Sequence, residues 1–397
     1  MRKLIIVLAI GAMFLATGFG GGQDLAFGKE KYKTFGILKA LSGPAAPWGI
    51  PNSRTIMMGA DIINEQGGFK VKGVTYKWKT TLYDHKYVPA EAVKALNKAI
   101  YSDKVDFVSI MGGSPTLACI PLLKENKILS LNDAAGGKDV TNPDNPLVFR
   151  YNPSLLGAYA AEFPWFKEHE KIKTIATINP DDATGRSGLW SAKLAADINK
   201  LKIVSEEFFE RGSKDFAPLL TRVIAKKPDM IETSYTDPTS SALITKQARE
   251  LGYKGVILCI WGPDPKQVLK IAGPHAEGVY MGVSGPPEPQ TPAQKALYKR
   301  FLTKYPASDW DPNYYTHHAM ISCLTKAIVE TQSFDPFVLA KHLENMKWDS
   351  PMGKHRFGGT KIFGIKRQMI SPATLLQARK GKAVFVVSPP VPEGIFD

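Results

Sequence analysis

The sequence predicts an α/β protein of two lobes, each a parallel β-sheet with helices on both faces. Apolar, β-branched runs alternate with segments whose apolar residues recur at helical spacing. This alternation extends over residues 32–131 and starts again over 155–260, which indicates two sheet units. The length of 397 residues also exceeds that of one typical domain, about 100–200 residues.

In the first series, the helix over 54–65 shows the pattern most clearly. It carries Ile56, Ala60 and Ile63 on one face and is expected to end at Gly67-Gly68. The other predicted elements of this series are strands at 32–38, 74–83, 105–111 and 127–131, and helices at 89–101 and 115–126.

The second series is followed by a helical segment and a hairpin. Its predicted strands cover 173–178, 201–209, 230–234 and 256–260, and its helices 155–169, 187–199, 216–226 and 240–251. Further helices are predicted at 292–305, 313–331 and 336–345. The tail predicts two short strands at 373–378 and 383–387, with Arg379-Lys380-Gly381 in the turn between them.

The first 28 residues have the pattern of a secretory signal peptide. A basic Met1-Arg2-Lys3 is followed by the uncharged, apolar segment 4–15 and then by small residues at 16–18 and 20–22. Cleavage is expected between Gly18 and Lys31, and no cysteine lies there for lipid attachment. The mature chain is therefore predicted to be soluble and periplasmic.

Charge and cysteine usage argue against several function classes. The net charge is +14, but the lysines are spread along the chain, which favours a solvated basic surface over nucleic-acid binding. The three cysteines are predicted as buried thiols, although one disulfide pair stays open. Histidine spacing predicts no metal site, and neither a Gly-x-Ser-x-Gly elbow nor a Walker-type phosphate loop occurs. We therefore expect no cofactor and no enzymatic activity.

Candidate ligand contacts of the first lobe follow its predicted strands, because ligands of open parallel sheets bind beyond the carboxyl ends of the strands. Gly113, Ser114 and Thr116 follow the strand at 105–111, where Ser114 suits an N-cap and Pro115 the first helical position. Free N–H groups there would suit a carboxylate. Ala134 and Gly136 follow the next strand. An ordinary capped helix and a plain glycine-rich loop are the alternative interpretations.

The corresponding loops of the second lobe are more acidic. Thr184 follows the strand at 173–178, Tyr235 and Asp237 follow that at 230–234, and Asp264 follows that at 256–260. Each aspartate is equally a candidate helix cap, and Asp264 with Gln267 has the spacing of a capping box. Aromatic residues suited to the cleft walls, or alternatively to ordinary packing, are Trp48, Tyr151, Tyr235 and Trp261.

Several segments in this order resemble the periplasmic leucine/isoleucine/valine-binding proteins, the type I solute receptors of ABC importers. They are Leu41-Ser42-Gly43-Pro44, the segment 59–68, Gln247-Ala248-Arg249-Glu250-Leu251-Gly252, Ala276-Glu277-Gly278 and Ser350-Pro351-Met352-Gly353. The resemblance covers nearly the whole mature chain. It implies two Rossmann-like lobes, a cleft between them, and three crossings near 151–154, 283–288 and 346–352. Lobe 1 would then comprise 29–152 with 286–347, and lobe 2 153–285 with 348–397.

The family's ligand residues are only partly present. Gly113 and Ser114 fall where a serine holds the ligand carboxylate, and Asp264 falls at the acid that pairs with the ammonium. Gly136 stands where the family has a threonine, and Thr184 where it has a tyrosine. A second family tyrosine falls at Tyr235 or Asp237. The resemblance thus implies an anion-friendly first wall and an acidic second wall, with a ligand other than a standard branched-chain amino acid.

The predicted function is that of a monomeric binding subunit that captures an amino acid or a related small carboxylate or amide, possibly aromatic, by hinge closure. Its partners would be the ABC permease subunits, without nucleic acid. The alternative is a ligand-sensing receptor of the same fold that acts with a separate membrane signalling partner. Permease and ATPase genes beside the gene would favour transport, and a lone sensor kinase would favour sensing.

Overall fold

The structure is a computed structural model that describes residues 30–261, 265–311 and 315–397. Its strands, in chain order, are β1 (Lys31–Lys39), β2 (Phe69–Val71), β3 (Val74–Asp84), β4 (Phe107–Ile110), β5 (Ser130–Asn132), β6 (Val148–Arg150), β7 (Thr174–Pro180), β8 (Lys202–Phe209), β9 (Met230–Glu232), β10 (Val256–Ile260), β11 (Tyr280–Val283), β12 (Lys347–Ser350), β13 (Gly353–Gly358), β14 (Gln368–Ile370), β15 (Thr374–Arg379) and β16 (Lys382–Val387).

The helices connect these strands and cover both faces of the sheets. They are α1 (Ala46–Glu65), α2 (Pro89–Asn97), α3 (Gly113–Glu125), α4 (Leu155–His169), α5 (Ala183–Asn199), α6 (Ala217–Ala225), α7 (Pro238–Glu250), α8 (Pro265–Ala272), α9 (Pro292–Leu302), α10 (His318–Thr331), α11 (Pro336–Leu343) and α12 (Thr360–Phe363). A π-helical turn, Lys98–Ser102, extends α2, and short 3-10 turns lie at Gly273–Ala276 and Ala307–Asp309.

The first sheet has nine strands in the order β12-β13-β14-β6-β5-β4-β1-β3-β2. The pairs from β14 through β6, β5, β4 and β1 to β3 are parallel, whereas β2, β12 and β13 add antiparallel pairs at the two edges. One face buries a cluster around Trp78 together with side chains of α1, α10 and α11. The other face packs on α2 and α3 around Leu96 and Leu123.

The second sheet has seven strands in the order β16-β15-β11-β10-β9-β7-β8. Its five strands from β11 to β8 are parallel, and β15 and β16 add the predicted hairpin in antiparallel fashion. The helices α4 and α5 cover one face, where Phe163 and Ala195 are buried, and α6, α7 and α8 cover the other. Two sheet-based lobes of the predicted α/β class are thereby confirmed.

The chain crosses between the two sheets three times. It leaves the first sheet after β6, leaves the second after β11, and crosses for the third time between β14 and β15. The prediction of a third crossing near 346–352, with 348–397 in lobe 2, is wrong. The three strands between Lys347 and Ile370 belong to the first sheet, because β12, β13 and β14 pair there and Gln368 pairs with Arg150 of β6. The other predicted lobe boundaries stay predictions.

Most elements of the two alternating series lie where the sequence predicts them, and the helix at 155–169 agrees to the residue. The short strands β2, β6, β11, β12, β13 and β14 and the helices α8 and α12 were not predicted. The unpredicted strands have three to six residues each, too few to show a hydrophobic period. The predicted signal peptide, 1–28, lies outside the described residues.

Two further properties bear on the predictions. Cys119, Cys259 and Cys323 are buried and free, so no disulfide joins any two of them. In the described parts of the chain, no helix combines the length and the apolar character needed to cross a bilayer.

Candidate functional site

A pocket with an empty volume of about 540 Å³, partly open to solvent, lies between the two sheets. The first lobe contributes Trp48, Tyr87, Met111, Gly112, Asp133, Ala135 and His317 to its lining. The second lobe and the crossings contribute Asn152, Pro153, Thr184, Tyr235, Trp261 and Ser284.

Parallel strands bring these residues together, because their carboxyl ends meet at one edge of each sheet. Met111 follows β4, Asp133 follows β5, and Asn152 lies two residues after β6. In the second sheet Tyr235 lies three residues after β9, and Trp261 and Ser284 directly follow β10 and β11. The pocket therefore occupies the position at which a pair of open α/β sheets binds its ligand.

Two adjacent glycines shape the first-lobe wall. Gly112 has φ +93°, and a Cβ there would lie 2.7 Å from the Tyr87 ring. At Gly113 a Cβ would lie 2.2 Å from the Ala135 carbonyl oxygen and 2.9 Å from Thr184 Oγ1. Only glycine permits these approaches, so the start of α3 can lie directly against the second lobe.

The lobes touch through hydroxyl groups beside the pocket. The Tyr87 hydroxyl lies 3.1 Å from Thr184 Oγ1, and the Ser114 backbone N–H donates to the same oxygen at 3.3 Å. Burial raises the pKa of Tyr87 to about 12, so its hydroxyl keeps its proton at neutral pH. Thr184 in the first turn of α5 thus contacts two separate segments of the first lobe.

An arginine of the second lobe adds to this contact. The Arg211 guanidinium lies 4.7 Å from the centre of the Tyr87 ring, a cation–π geometry. Asp182 Oδ2 accepts from Arg211 Nε at 2.6 Å, and Asp237 Oδ2 lies 3.7 Å from Nη1. Both acids also cap helices, since Asp182 accepts from the Gly185 N–H and Asp237 from the Ser240 N–H. The single positive charge of Arg211 therefore offsets part of the negative charge of these two carboxylates.

The first-lobe wall carries a carboxylate of its own. Asp133 accepts a short hydrogen bond from the Asn52 amide, and its Oδ2 lies 3.7 Å from His317 Nε2. Burial alone would raise the pKa of Asp133, but the interactions with His317, Lys39 and Asn52 outweigh it and hold the pKa below its usual value. The first-lobe wall thus carries a negative charge beside the start of α3, which the prediction of an anion-friendly wall did not include. The acidic second wall stays a prediction, since Asp264 lies outside the described residues.

Two aromatic residues of the second-lobe wall adopt left-handed backbone conformations. Tyr235 has φ +58° and Trp261 has φ +53°, values that are uncommon for side chains of this size. Each is held by a bond from its backbone N–H to the next strand, to the Ile260 oxygen at 3.1 Å and to the Gly282 oxygen at 3.1 Å. This conformation costs about 1–3 kcal/mol per residue, and such strain is concentrated at functional sites.

Arg150 lies buried at the end of β6, near Tyr235. Its Nη1 donates to the Gly136 carbonyl, and its guanidinium lies 4.5 Å from the centre of the Phe363 ring. Its Nε and Nη2 have no hydrogen-bond partner among the described residues. Burial lowers the pKa of Arg150 to about 10, so it stays charged behind the pocket.

The structure brings four of the eleven predicted contact positions near each other at the pocket. Trp48, Thr184 and Tyr235 line it, and Ser114 touches Thr184 at its margin. Gly113 lies directly behind the lining residue Gly112. Ser114 is not the N-cap: α3 begins at Gly113 with Gly112 as its cap, because the positive φ of Gly112 ends the extended backbone two residues earlier than predicted. The predicted contacts themselves stay untested.

Other predicted residues lie away from the lining. Tyr151 is fully buried in the first-lobe core, where it stacks on Trp348 and accepts from its indole N–H at 2.8 Å. Thr116, Ala134 and Gly136 are buried outside the lining, with Ala135 lining the pocket instead, and Asp237 is a buried helix cap. Asp264 lies outside the described residues, so its role stays a prediction.

The sequence did not indicate some of the lining residues. The positions of Asp133 and Tyr87 could have predicted their place in the lining, since each is among the first side chains after a parallel strand. Ser284 follows a strand that was itself not predicted. His317 precedes α10, and only the packing of α10 against α1 brings it to the pocket.

Two sheet-based lobes, three crossings and a pocket at the facing strand ends define a two-lobed small-molecule binding protein. A family model described as "Periplasmic binding protein" matches residues 34–383, which is most of the chain. The chain therefore belongs to the periplasmic binding protein family, of the branched-chain amino acid receptor type.

Relatives and solved structures agree with this assignment. The chain is 23% identical to the leucine-, isoleucine-, valine-, threonine- and alanine-binding protein of Pseudomonas aeruginosa, over 87% of this chain and 90% of the relative. It is 26% identical to the leucine-specific-binding protein of Salmonella typhimurium, over 80% and 84% of the two chains.

Two solved structures show the same fold at lower identity. A solute-binding protein of an ABC transporter from R. palustris, in complex with 4-hydroxybenzoate, has TM-score 0.78 at 18% identity, over 92% of this chain and 99% of that one. A branched-chain amino acid transporter substrate-binding protein of Streptococcus pneumoniae, in complex with isoleucine, has TM-score 0.75 at 17% identity, over 90% and 100%.

Proposed function

We propose that this chain is the extracytoplasmic solute-binding subunit of an ABC importer. One observation carries the proposal: the pocket takes its walls from both lobes and from the crossings between them. A solute in this pocket contacts both lobes at once, so its binding energy favours the arrangement in which they are together. The family, and the transport systems named for the solved relatives, support the same role.

Hinge closure is the mechanism that we propose for capture. The chain passes between the sheets through short segments, and Asn152, Pro153 and Ser284 in two of them line the pocket. Rotation about such segments opens and closes a cleft while each lobe stays rigid. The contacts of Tyr87 and Ser114 with Thr184 form only when the lobes are close, and they would add to the solute's own contacts.

The proposed solute is an amino acid or a related small carboxylate or amide, with an aromatic or similarly bulky body. Trp48, Tyr87, Tyr235 and Trp261 surround the pocket, and Met111 adds a further apolar wall. Flat apolar side chains of this kind suit the faces of a ring. The start of α3 beside Gly112 offers backbone N–H groups and the positive end of a helix dipole for a carboxylate, in keeping with the predicted roles of Gly113 and Ser114.

The test is a screen for a ligand-dependent rise in melting temperature, with amino acids, amides, benzoates and other small organic acids. Each hit is then measured by isothermal titration calorimetry with the purified mature protein. We expect Trp48→Ala to weaken the binding of every hit, since Trp48 lines the pocket. Tyr101→Ala is the matched control, because Tyr101 is 48% exposed and lies outside the lining. If no solute of this size shifts the melting temperature, the proposed function is wrong.

A further inference from the structure

We propose that Asp133 selects the solute by accepting a hydrogen bond from an ammonium, hydroxyl or amide donor on an aromatic-sized ligand. Analogues of the same shape without that donor would then be rejected. This inference rests on the proposed function, because it assigns the ligand class of the same pocket.

The position of Asp133 is set by backbone hydrogen bonds on both sides. Its N–H donates to the Ile110 carbonyl at 3.0 Å, and its own carbonyl accepts from the Gly112 N–H at 2.8 Å. These bonds continue the β4–β5 pairing beyond the strands, with Met111 bridged to Asp133. A side chain fixed in this way at the pocket wall is preorganised for one ligand geometry.

The surroundings favour the ionised form of the carboxylate. The Asn52 amide donates to Oδ2, and His317 Nε2 lies 3.7 Å from the same oxygen. Lys39 is fully buried and donates to Ser109 Oγ at 2.8 Å. Burial lowers the pKa of Lys39 to about 8, while the charge of Asp133 acts in the opposite direction. Lys39 therefore still carries its positive charge at neutral pH, behind the Asp133 wall.

The second carboxylate oxygen is available to a ligand. Asn52 donates to Oδ2 and His317 lies near the same oxygen, whereas Oδ1 accepts no hydrogen bond from the residues that the structure describes. An ionised carboxylate has about four acceptor sites, so Asp133, which lines the pocket, retains capacity to accept further hydrogen bonds. A solute that displaces pocket water without replacing its hydrogen bonds leaves this anion desolvated, which is costly.

The described acids of the second lobe that lie nearest the pocket do not offer the same function. Asp182 and Asp237 cap helices and contact Arg211, and neither lines the pocket. Among the described residues, Asp133 is the one carboxylate in the lining. Among the described residues, donor recognition by a carboxylate therefore falls to the first lobe, and the described part of the opposite wall supplies mainly aromatic surface.

The experiment measures how strongly the protein prefers a ligand with a donor over its donor-free analogue. One probe pair is phenylalanine and 3-phenylpropanoate, which differ by the ammonium group. The other is 4-hydroxybenzoate and benzoate, which differ by the phenol hydroxyl. Affinities are measured by calorimetry for the wild type and for Asp133→Ala. A hydrogen bond to a charged group corresponds to roughly 10- to 100-fold in affinity, so the wild type should prefer the donor-bearing member of one pair by that factor.

Asp139→Asn is the matched control, because Asp139 lies in the same loop, accepts from the Gly137 and Val140 N–H groups, and is outside the lining. We expect the preference to disappear in Asp133→Ala and to persist in Asp139→Asn. An unchanged preference in Asp133→Ala refutes the inference, and so does equal binding of both members by the wild type. If none of the four probes binds at millimolar concentration, the ligand class is refuted. The proposed function fails with it only if the wider screen also finds no ligand.

Discussion

The contact between Tyr87 and Thr184 allows a quantitative test of how lobe closure contributes to affinity. Tyr87→Phe removes the hydroxyl that lies 3.1 Å from Thr184 Oγ1, but it keeps the ring that contacts Trp48 and lies beneath Arg211. A hydrogen bond between neutral groups contributes about 0.5–1.5 kcal/mol net. If this bond exists only when the lobes are together, its loss should weaken ligand binding by about two- to tenfold.

A double-mutant cycle isolates this bond from other effects. Thr184→Val also removes the acceptor of the Ser114 N–H, so its single effect should exceed that of Tyr87→Phe. The affinities of the wild type, the two single variants and the double variant are measured by calorimetry with the tightest ligand of the screen. We expect a coupling of about 0.5–1.5 kcal/mol between the two positions. Strictly additive effects would show that the contact plays no part in the liganded state.

Three further predictions concern stability. Arg211→Met should lower the free energy of unfolding by about 2 kcal/mol, because Asp182 and Asp237 lose their counter-charge. Arg211→Lys should lower it less. Equal losses in the two variants would contradict the role of the guanidinium. Burial raises the pKa of Glu162 from 4.5 to about 8, so this residue lowers the free energy of unfolding increasingly as the pH rises through that range. Glu162→Gln should therefore raise the melting temperature at pH 8 but not at pH 4. Burial lowers the pKa of His355 from 6.5 to about 4, so the stability that is present above pH 6.5 is lost as the pH falls towards 4. His355→Gln should flatten this decline of the melting temperature with falling pH. An unchanged slope of melting temperature against pH would exclude His355 as its source.

The fold could be predicted well where elements are long and periodic. The helix α4 and the strand β10 lie at their predicted bounds, because each is a continuous apolar or amphipathic segment. The tail shows the opposite case: Lys347–Ser350 and Gly353–Gly358 are short and partly polar, and neither has a pattern that assigns it to one sheet. Pairing of Gln368 with Arg150, more than two hundred positions earlier in the chain, decided that assignment.

The candidate site could be predicted in part for a similar reason. Thr184 and Tyr235 were found because they follow strands that the sequence shows clearly. Tyr151 also follows a strand, but its ring is turned into the core and stacks on Trp348. The direction of a side chain after a strand depends on the local backbone and on its neighbours, and neither is visible in the sequence alone.

The sequence by itself determined that the chain forms two α/β lobes whose candidate ligand contacts follow parallel strands, because hydrophobic periodicity and strand-end loops are local properties. Only the tertiary structure decided the polarity of the cleft. Asp182 and Asp237 both contact Arg211, whereas Asp133 faces the pocket from the other lobe. Whether a carboxylate is paired or available depends on residues far away in the chain, and packing alone brings those residues to it.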